Sequence, residues 1–160
     1  MPTVTIEIDS SRLQGMLQRL ANACSEDMLD GGMRAIGEHL KESTVKRLEA
    51  GVTPEGNAFK PLSAVTLAMR VKRGRSGTKP LIDTGQLHDT GINYRMEGAE
   101  LVLFANRAGV HAVHFGSDRA GRGNKVRIPA RRFMGISNDD LDAIGNIVRH
   151  ILAQAMRGEA

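Results

Sequence analysis

The spacing of apolar residues changes along the chain, and each change marks a structural element. In residues 3–9 apolar side chains occupy every second position, which predicts a half-buried strand. Residues 11–24 and 29–48 carry apolar side chains at helical spacing, so each range predicts an amphipathic helix. Gly51 follows the second helix and is a natural stop for it. The chain is therefore expected to contain a strand followed by two helices.

Regular spacing is lost in residues 52–78, which several prolines and glycines interrupt. Within this range, residues 63–70 are compatible with a short helix. A long irregular stretch inside a compact domain is usually functional or disordered. We therefore predict that this segment becomes ordered only when a partner binds.

Regular patterns return in the second half of the chain. Residues 80–87 predict an apolar step into one helical turn. Residues 92–96 and 101–106 predict a hairpin whose second strand is covered on both sides. Residues 110–116 fit either a further strand or a helical turn, and residues 117–125 are predicted to be a loop.

Residues 126–137 combine features that suit an interaction strip. Pro129 fixes its own φ and removes a backbone donor, which predicts an edge strand or a rigid extended strip. Ser137 is placed to cap an amphipathic helix that starts at Asn138. The same strip carries a large apolar residue and arginines, namely Phe133, Arg127, Arg131 and Arg132. Docking onto another protein and an ordinary strand-to-helix connection with solvated arginines explain this pattern equally well.

These elements predict an α+β fold: an antiparallel β-sheet packed by N-terminal helices and one C-terminal helix, with long basic loops. A length of 160 residues is most simply one domain, with the first strand and helices in residues 1–50, an extended loop region in residues 51–79, and the sheet and last helix in residues 80–160. The longest apolar run is too short to cross a membrane, and the first residues do not resemble a leader. Since Cys24 is the single cysteine, a soluble cytoplasmic protein without an intrachain disulfide is expected.

Charge is distributed unevenly, although the formal net charge is only +4. Two basic blocks lie in glycine-containing, loop-like sequence: Arg70, Lys72, Arg73, Arg75 and Lys79, and then Arg119, Arg122, Lys125, Arg127, Arg131 and Arg132. Such clusters can neutralise nucleic-acid phosphates, pair with acidic protein surfaces, or remain solvated. Because aromatic residues make up only 3% of the chain, stacking on single-stranded bases and sequence-specific reading of nucleic acid are not expected.

Candidate catalytic and metal-binding groups are sparse. His111 and His114 would share a face on a helix, but Asp118 alone does not complete a metal site with them. Residues 74–79 lack the glycine spacing and the following Ser or Thr of a phosphate-binding loop. Cys24 lies in an apolar helical pattern, which indicates a buried structural thiol. The sequence therefore predicts no catalytic site, no metal and no cofactor.

Four stretches of the sequence resemble a known family and occur in its order. Block one is Gly56-Asn-Ala-Phe-Lys-Pro-Leu-Ser63 with Thr66, block two is Leu81-Ile-Asp-Thr-Gly-Gln-Leu87, block three is His114-Phe-Gly116, and block four is Ile128-Pro-Ala-Arg-Arg-Phe-Met-Gly-Ile-Ser137. Together they are similar to the phage virion morphogenesis family, the tail-completion proteins of contractile- and flexible-tailed bacteriophages and prophages.

The resemblance implies a non-enzymatic structural protein that completes the tail and joins it to the filled head. It also implies a homo-oligomeric ring, expected to be a hexamer, in the virion neck or at the head-proximal tail end, after assembly in the host cytoplasm. The implied partners are other copies of the chain, neighbouring neck, tail tube or terminator proteins, and DNA in the channel through non-specific contact; no membrane is involved. The alternative function is a small basic module that binds the DNA phosphate backbone non-specifically.

A contact surface for such a ring can be predicted. We hypothesise that residues 128–134 pack against a neighbouring subunit with Phe133 as the buried anchor. Arg131 or Arg132 would then pair with a neighbour's carboxylate, such as that of Asp139 or Asp142. The predicted protein-interaction residues are Phe59, Pro61, Leu62, Ile128, Pro129, Arg131, Arg132 and Phe133, and the two basic blocks are predicted to contact a partner or DNA. A place for Phe133 in the core of its own subunit is the alternative.

Overall fold

The computed structural model describes residues 26–98, 100–121 and 123–157. The predictions for residues 3–9, for residues 11–24, for Cys24 and for Arg122 lie outside the described residues. In chain order, the described elements are two helices, a π-helical turn, a hairpin, a short helix, a second hairpin and a long helix.

The long helix α1 spans Glu26–Ala50 and ends at the predicted glycine. Gly51 has a φ of 73°, a left-handed conformation that glycine adopts without strain. Its N–H donates to the Leu48 carbonyl at 3.3 Å, and the Val52 N–H donates to the Arg47 carbonyl at 3.1 Å. These two bonds form a Schellman motif, which satisfies carbonyls that the helix end leaves open. The predicted stop is therefore confirmed.

The short helix α2, Ala64–Lys72, lies in the stretch where regular spacing was lost. Its cap is Ser63, whose Oγ accepts a hydrogen bond from the Thr66 N–H at 3.2 Å. The prediction of a short helix is confirmed. Among the described elements, no helix or strand packs extensively against α2, and Arg70 is its only buried residue.

A hairpin packs on one side of α1. The π-helical turn Leu87–Gly91 leads into β1, Ile92–Glu97, which pairs antiparallel with β2, Glu100–Ala105. After its first residue, β2 is half-buried at every position, so both of its faces are partly covered as predicted. Close packing on α1 requires Gly37, because a Cβ there would lie 2.4 Å from Cδ2 of Tyr94.

A second hairpin follows a short helix. The helix α3 is Val110–Phe115, which settles the alternative left open for this range. Strand β3, Ser117–Ala120, pairs antiparallel with β4, Val126–Ile128. The prediction of a continuous loop over residues 117–125 is therefore wrong, because backbone pairing with β4 makes a strand of Ser-Asp-Arg-Ala, a sequence without apolar alternation. The expected single sheet is two separate two-stranded sheets.

The last helix, α4, spans Asn138–Arg157 and packs along α1. Its start is a reciprocal capping box: the Asp140 N–H donates to Ser137 Oγ at 3.1 Å, and the Ser137 N–H donates to Asp140 Oδ2 at 2.9 Å. Both the cap and the start of the helix are confirmed. The helices approach closely at Gly32, where a Cβ would lie 2.1 Å from Cδ1 of Ile151.

The apolar core of the described chain is small. Its central cluster consists of Leu48, Phe59, Ile92 and Phe133, surrounded by partly buried side chains from α1, the hairpin and α3. Helices and small antiparallel sheets packed in this way confirm the predicted α+β fold. Of the described helices, none is both long enough and apolar enough to span a bilayer.

Candidate interaction site

Three of the four blocks line one groove. The groove has a volume of about 870 Å³, is partly open to solvent and is mostly apolar. Block one contributes Pro61 and Leu62, block two contributes Leu81 and Leu87, and block four contributes Ile128, Pro129 and Arg131. Segments far apart in the sequence therefore form one continuous surface.

Arg131 ties block four to block one at the base of this groove. Its Nε donates to the Lys60 carbonyl at 2.7 Å, and its Nη2 donates to the Pro61 carbonyl at 2.9 Å. Its backbone N–H donates to the Val113 carbonyl of α3 at 2.9 Å. Burial, with a smaller contribution from nearby Arg70, places the pKa of Arg131 below its usual value. Arg131 is only 6% exposed. Its bonds therefore hold the walls of the groove together, and its charge is not free at the surface.

Block three supports block four from behind. Gly116 has a φ of 83°, and a Cβ there would lie 3.0 Å from the Ala130 nitrogen and 3.1 Å from the Ile128 carbonyl oxygen. The ring of His114 meets the ring of Phe133 edge-on, with 5.1 Å between centroids. Only glycine fits this backbone approach, so block three fixes the path of the extended strip.

The two histidines of α3 do not form a metal centre in the described structure. Burial, followed by the positive charges of Arg132 and His111, lowers the pKa of His114 below its usual value. Among the described residues, no group of three or more histidine, cysteine, aspartate or glutamate side chains is placed to hold a metal ion. The structure thus gives His114 a packing contact with Phe133.

Arg70 organises the groove wall contributed by block two. Its Nη1 donates to the carbonyls of Gly77, Lys79 and Ile82 at 2.8, 2.9 and 3.0 Å. Its Nε lies 3.3 Å from a carboxylate oxygen of Asp83. One guanidinium therefore gathers residues 77–83 around itself. These bonds hold Arg70 and Gly77 within the subunit, and both residues belong to the segment that was predicted to order only on binding.

Leu81 in this wall has an unusual backbone conformation. Its φ is 66°, although it is not a glycine, and such a conformation costs on the order of 1–3 kcal/mol. Its side chain packs on the central apolar cluster. Strain of this kind persists only where the surroundings fix the residue, as the bonds to Arg70 on either side of it do.

Most side chains of the first basic block are bound within their own subunit. The block is therefore not the free cationic loop that the sequence predicted. Arg70 is buried, Arg75 pairs with Asp83, and Lys79 Nζ donates to the Glu49 carbonyl at 3.0 Å. Arg70 and Arg75 therefore bind oxygens of residues 77–83, whereas Lys79 binds the end of α1. Of the two basic blocks, the described residues that lie exposed are Lys72, Arg73, Lys79, Arg119, Lys125, Arg127 and Arg132.

The predicted interaction residues divide into buried and accessible groups. Phe133 is fully buried, Phe59 is 7% exposed, and both belong to the central cluster of their own subunit. Of the two roles considered for Phe133, the structure places it in its own core, where it cannot also anchor a neighbour. The predicted residues that remain at the surface are Pro61, Leu62, Ile128, Pro129 and Arg132.

The structure contains a buried charge cluster between α1 and α4 that was not predicted from the sequence. Arg47 Nη1 donates to Asp140 Oδ2 at 2.6 Å, and Arg47 Nη2 donates to the Gly135 carbonyl at 2.8 Å. His39 Nε2 lies 3.1 Å from the other oxygen of Asp140. One feature of the sequence could have indicated this cluster: Arg47 is a charged residue beside Leu48, on the apolar stripe of a helix.

The electrostatics of Asp140 follow from this cluster. Burial disfavours its charged form, but hydrogen bonds from the Ser137 backbone and from the side chains of Ser43 and Arg47 outweigh that effect. The pKa of Asp140 therefore lies well below its usual range. Its charge fixes the start of α4 relative to α1, and with it the end of block four.

Comparisons with known proteins agree with the resemblance. Residues 8–153 match the phage virion morphogenesis family. The chain is also 30% identical, over 146 residues, to the Mu-like prophage FluMu G protein 2 of Haemophilus influenzae, and the match covers 90% of this chain and 93% of that protein. No solved structure matches the chain.

Proposed function

The chain belongs to the phage virion morphogenesis family, and we propose that it is a non-enzymatic structural protein that completes the tail and joins it to the head. In this proposal it acts as a homo-oligomeric ring, a hexamer, in the neck or at the head-proximal end of the tail. It assembles in the host cytoplasm and contacts neighbouring neck, tail tube or terminator proteins.

The observation that carries this proposal is the open groove. Three of the blocks that resemble the family line it, and the remaining block, His114 to Gly116, supports its wall from behind. The groove presents apolar side chains and backbone, with no constellation of described groups suited to nucleophilic, acid–base or metal chemistry. A surface of this composition suits contact with another protein.

Exposed apolar side chains beside the groove support the same reading. On α2, Val65 is 66% exposed, Met69 is 55% exposed and Val71 is 70% exposed. Val126 of β4 is 51% exposed, and Phe115 of α3 is 60% exposed. Apolar side chains that cluster at the surface of a small protein commonly mark a protein contact. A ring subunit has such surfaces covered only after assembly.

Deletion of the gene from the phage or prophage that carries it tests the proposed function. We expect filled heads and tails to accumulate unjoined in the lysate, because the tail lacks its final component. Electron microscopy and plaque counts measure this result, and expression of the wild-type chain from a plasmid is expected to restore joined particles. Normal yields of joined, infectious particles from the deletion strain would contradict the proposal.

The alternative, non-specific DNA binding, is favoured by the exposed cations of the second hairpin. Arg119, Lys125 and Arg127 are exposed there, with Asp118 as the acidic residue among them. A titration of duplex DNA at several salt concentrations separates the two functions. Affinity that survives near physiological salt, together with normal particles after deletion, would favour the DNA-binding module.

A further inference from the structure

A surface knob at the start of α4 complements the groove in chemistry. We define the acidic knob as Ile136, Asp139, Leu141 and Asp142. Ile136 is 55% exposed and Leu141 is 56% exposed, and the two aspartates beside them are also exposed. The knob thus pairs apolar side chains with negative charge.

The acidic knob is held rigidly despite its exposure. Asp140, which lies within it in sequence, is 1% exposed and is bound by the Arg47 side chain and the Ser137 N–H. The guanidinium of Arg47 also binds the Gly135 carbonyl at 2.8 Å. Bonds at Gly135, Ser137 and Asp140 therefore fix the backbone that carries the knob before any partner binds. A pre-formed surface loses little conformational entropy on docking.

The groove carries the opposite charge around apolar walls. Arg107 and Arg127 line it and are exposed, and the Arg127 side chain is 84% accessible. Within the described residues the guanidinium of Arg107 has no ion-pair partner, whereas that of Arg127 lies 2.7 Å from a carboxylate oxygen of Asp118. The exposed helix α2 of a neighbouring copy would be a poor occupant of this groove, because that helix contains no acidic residue and carries Arg70 and Lys72 in its last turn.

We propose that the acidic knob of one copy docks into the groove of the next copy. Ile136 and Leu141 then cover the apolar walls, while Asp139 and Asp142 face Arg107 and Arg127 across the rim. The knob and the groove share no residue, as a head-to-tail contact requires, and such a contact closes into a ring when its rotation allows. This inference rests on the proposed ring and names the two surfaces that build it.

Charge reversal tests this pairing directly. We expect the variant Asp139→Arg/Asp142→Arg and the variant Arg107→Glu each to weaken self-association at least about tenfold, since each places like charges together. The combined variant, which exchanges the signs of both surfaces, is expected to recover part of that loss. Sedimentation velocity over a concentration series measures each dissociation constant, and circular dichroism verifies that each variant is folded.

A matched control separates the contact from general effects of charge. The variant Glu26→Arg/Asp27→Arg reverses two exposed carboxylates in the first turn of α1, just as Asp139 lies in the first turn of α4. It therefore repeats the unfavourable effect on a helix dipole without altering the knob. We expect its self-association to match that of the wild-type protein. Lys46→Glu, whose native side chain is 75% exposed on α1, is the corresponding cationic control.

The outcomes distinguish this inference from the proposed function. Unchanged self-association of the folded knob and groove variants would overturn the contact while leaving the ring intact. Failure of the combined variant to recover any association would overturn the specific pairing of these two surfaces. A wild-type protein that stays monomeric at every concentration tested would also overturn the contact between copies. Normal particles after gene deletion would instead overturn the function, whatever the association measurements show.

Discussion

Replacing Asp140 with Asn is expected to lower the free energy of unfolding by about 3–5 kcal/mol, the usual effect of removing one partner of a buried ion pair. Asp140 is 1% exposed and its partner Arg47 is 7% exposed, so water cannot replace the lost carboxylate. The guanidinium of Arg47 would keep its bond to the Gly135 carbonyl but lose its counter-charge. Urea unfolding followed by circular dichroism measures the difference.

The effect should depend on pH in a defined direction. The pKa of Asp140 in the folded chain lies below its ordinary value of 3.8, so its contribution to stability is fully present above that value. The contribution is lost as the pH falls and the carboxylate becomes protonated. The difference in unfolding free energy between the wild-type protein and Asp140→Asn should therefore begin to shrink as the pH falls below 3.8, and it should continue to shrink as the pH approaches the lowered pKa of the folded chain.

Two further variants control this prediction. Asp142→Asn changes an exposed carboxylate two positions along the same helix, and it should alter stability by less than about 0.5 kcal/mol. The double variant Arg47→Met/Asp140→Asn should lose less than the sum of its single variants, because it no longer buries an unpaired charge. Strict additivity of the two single effects would show that Arg47 and Asp140 do not act as a pair.

Replacing Phe133 with Ala is expected to cost about 3–5 kcal/mol of stability in the isolated subunit. Phe133 is fully buried and packs with Leu48, Phe59 and Ile92. Its ring also meets the ring of His114 edge-on. The truncation leaves a cavity in a core that has few large side chains to collapse into it. Thermal or urea unfolding of the monomeric protein is the measurement.

The matched control is Phe115→Ala on α3, because the native side chain is 60% exposed. It should change the stability of the subunit by no more than about 0.5 kcal/mol. If Phe133→Ala left the unfolding free energy of the monomer unchanged and abolished only self-association, Phe133 would be an interface anchor and not a core residue. Equal effects of the two variants would likewise contradict the described core.

Local patterns explain which parts of the fold could be predicted from the sequence. The stop at Gly51, the cap at Ser137 and the first hairpin each depend on residues close together in the chain, so spacing and turn chemistry reveal them. Strand β3 was missed because its four residues lack alternation and become a strand only by pairing with β4. The pattern carries no signal for that pairing.

The candidate site was predictable in its parts but not in its arrangement. The blocks were recognised from the sequence, and Pro61, Leu62, Ile128 and Pro129 do line the groove. The role of Arg131 was not predictable, because its carbonyl partners lie 71 and 70 positions earlier in the chain. Buried arginines such as this one look in a sequence like solvated surface charge.

The same limitation applies to the first basic block. A run of cations between glycines indicates a flexible loop, yet Arg70 binds backbone carbonyls at positions 77, 79 and 82. Those acceptors belong to every residue type, so side-chain identity cannot reveal them. These bonds hold the loop against its own subunit, and Arg70 itself lines the groove.

The number of copies that bind to purified tails lacking this protein tests whether the chain completes the tail as a ring. Tails isolated from the deletion strain are incubated with the wild-type chain, and bound copies are counted per tail by quantitative mass spectrometry. We expect each tail to take up one ring of copies and then to join filled heads. A chain that leaves such tails unoccupied, or that binds along them without a fixed number, would contradict the proposed role in completing the tail.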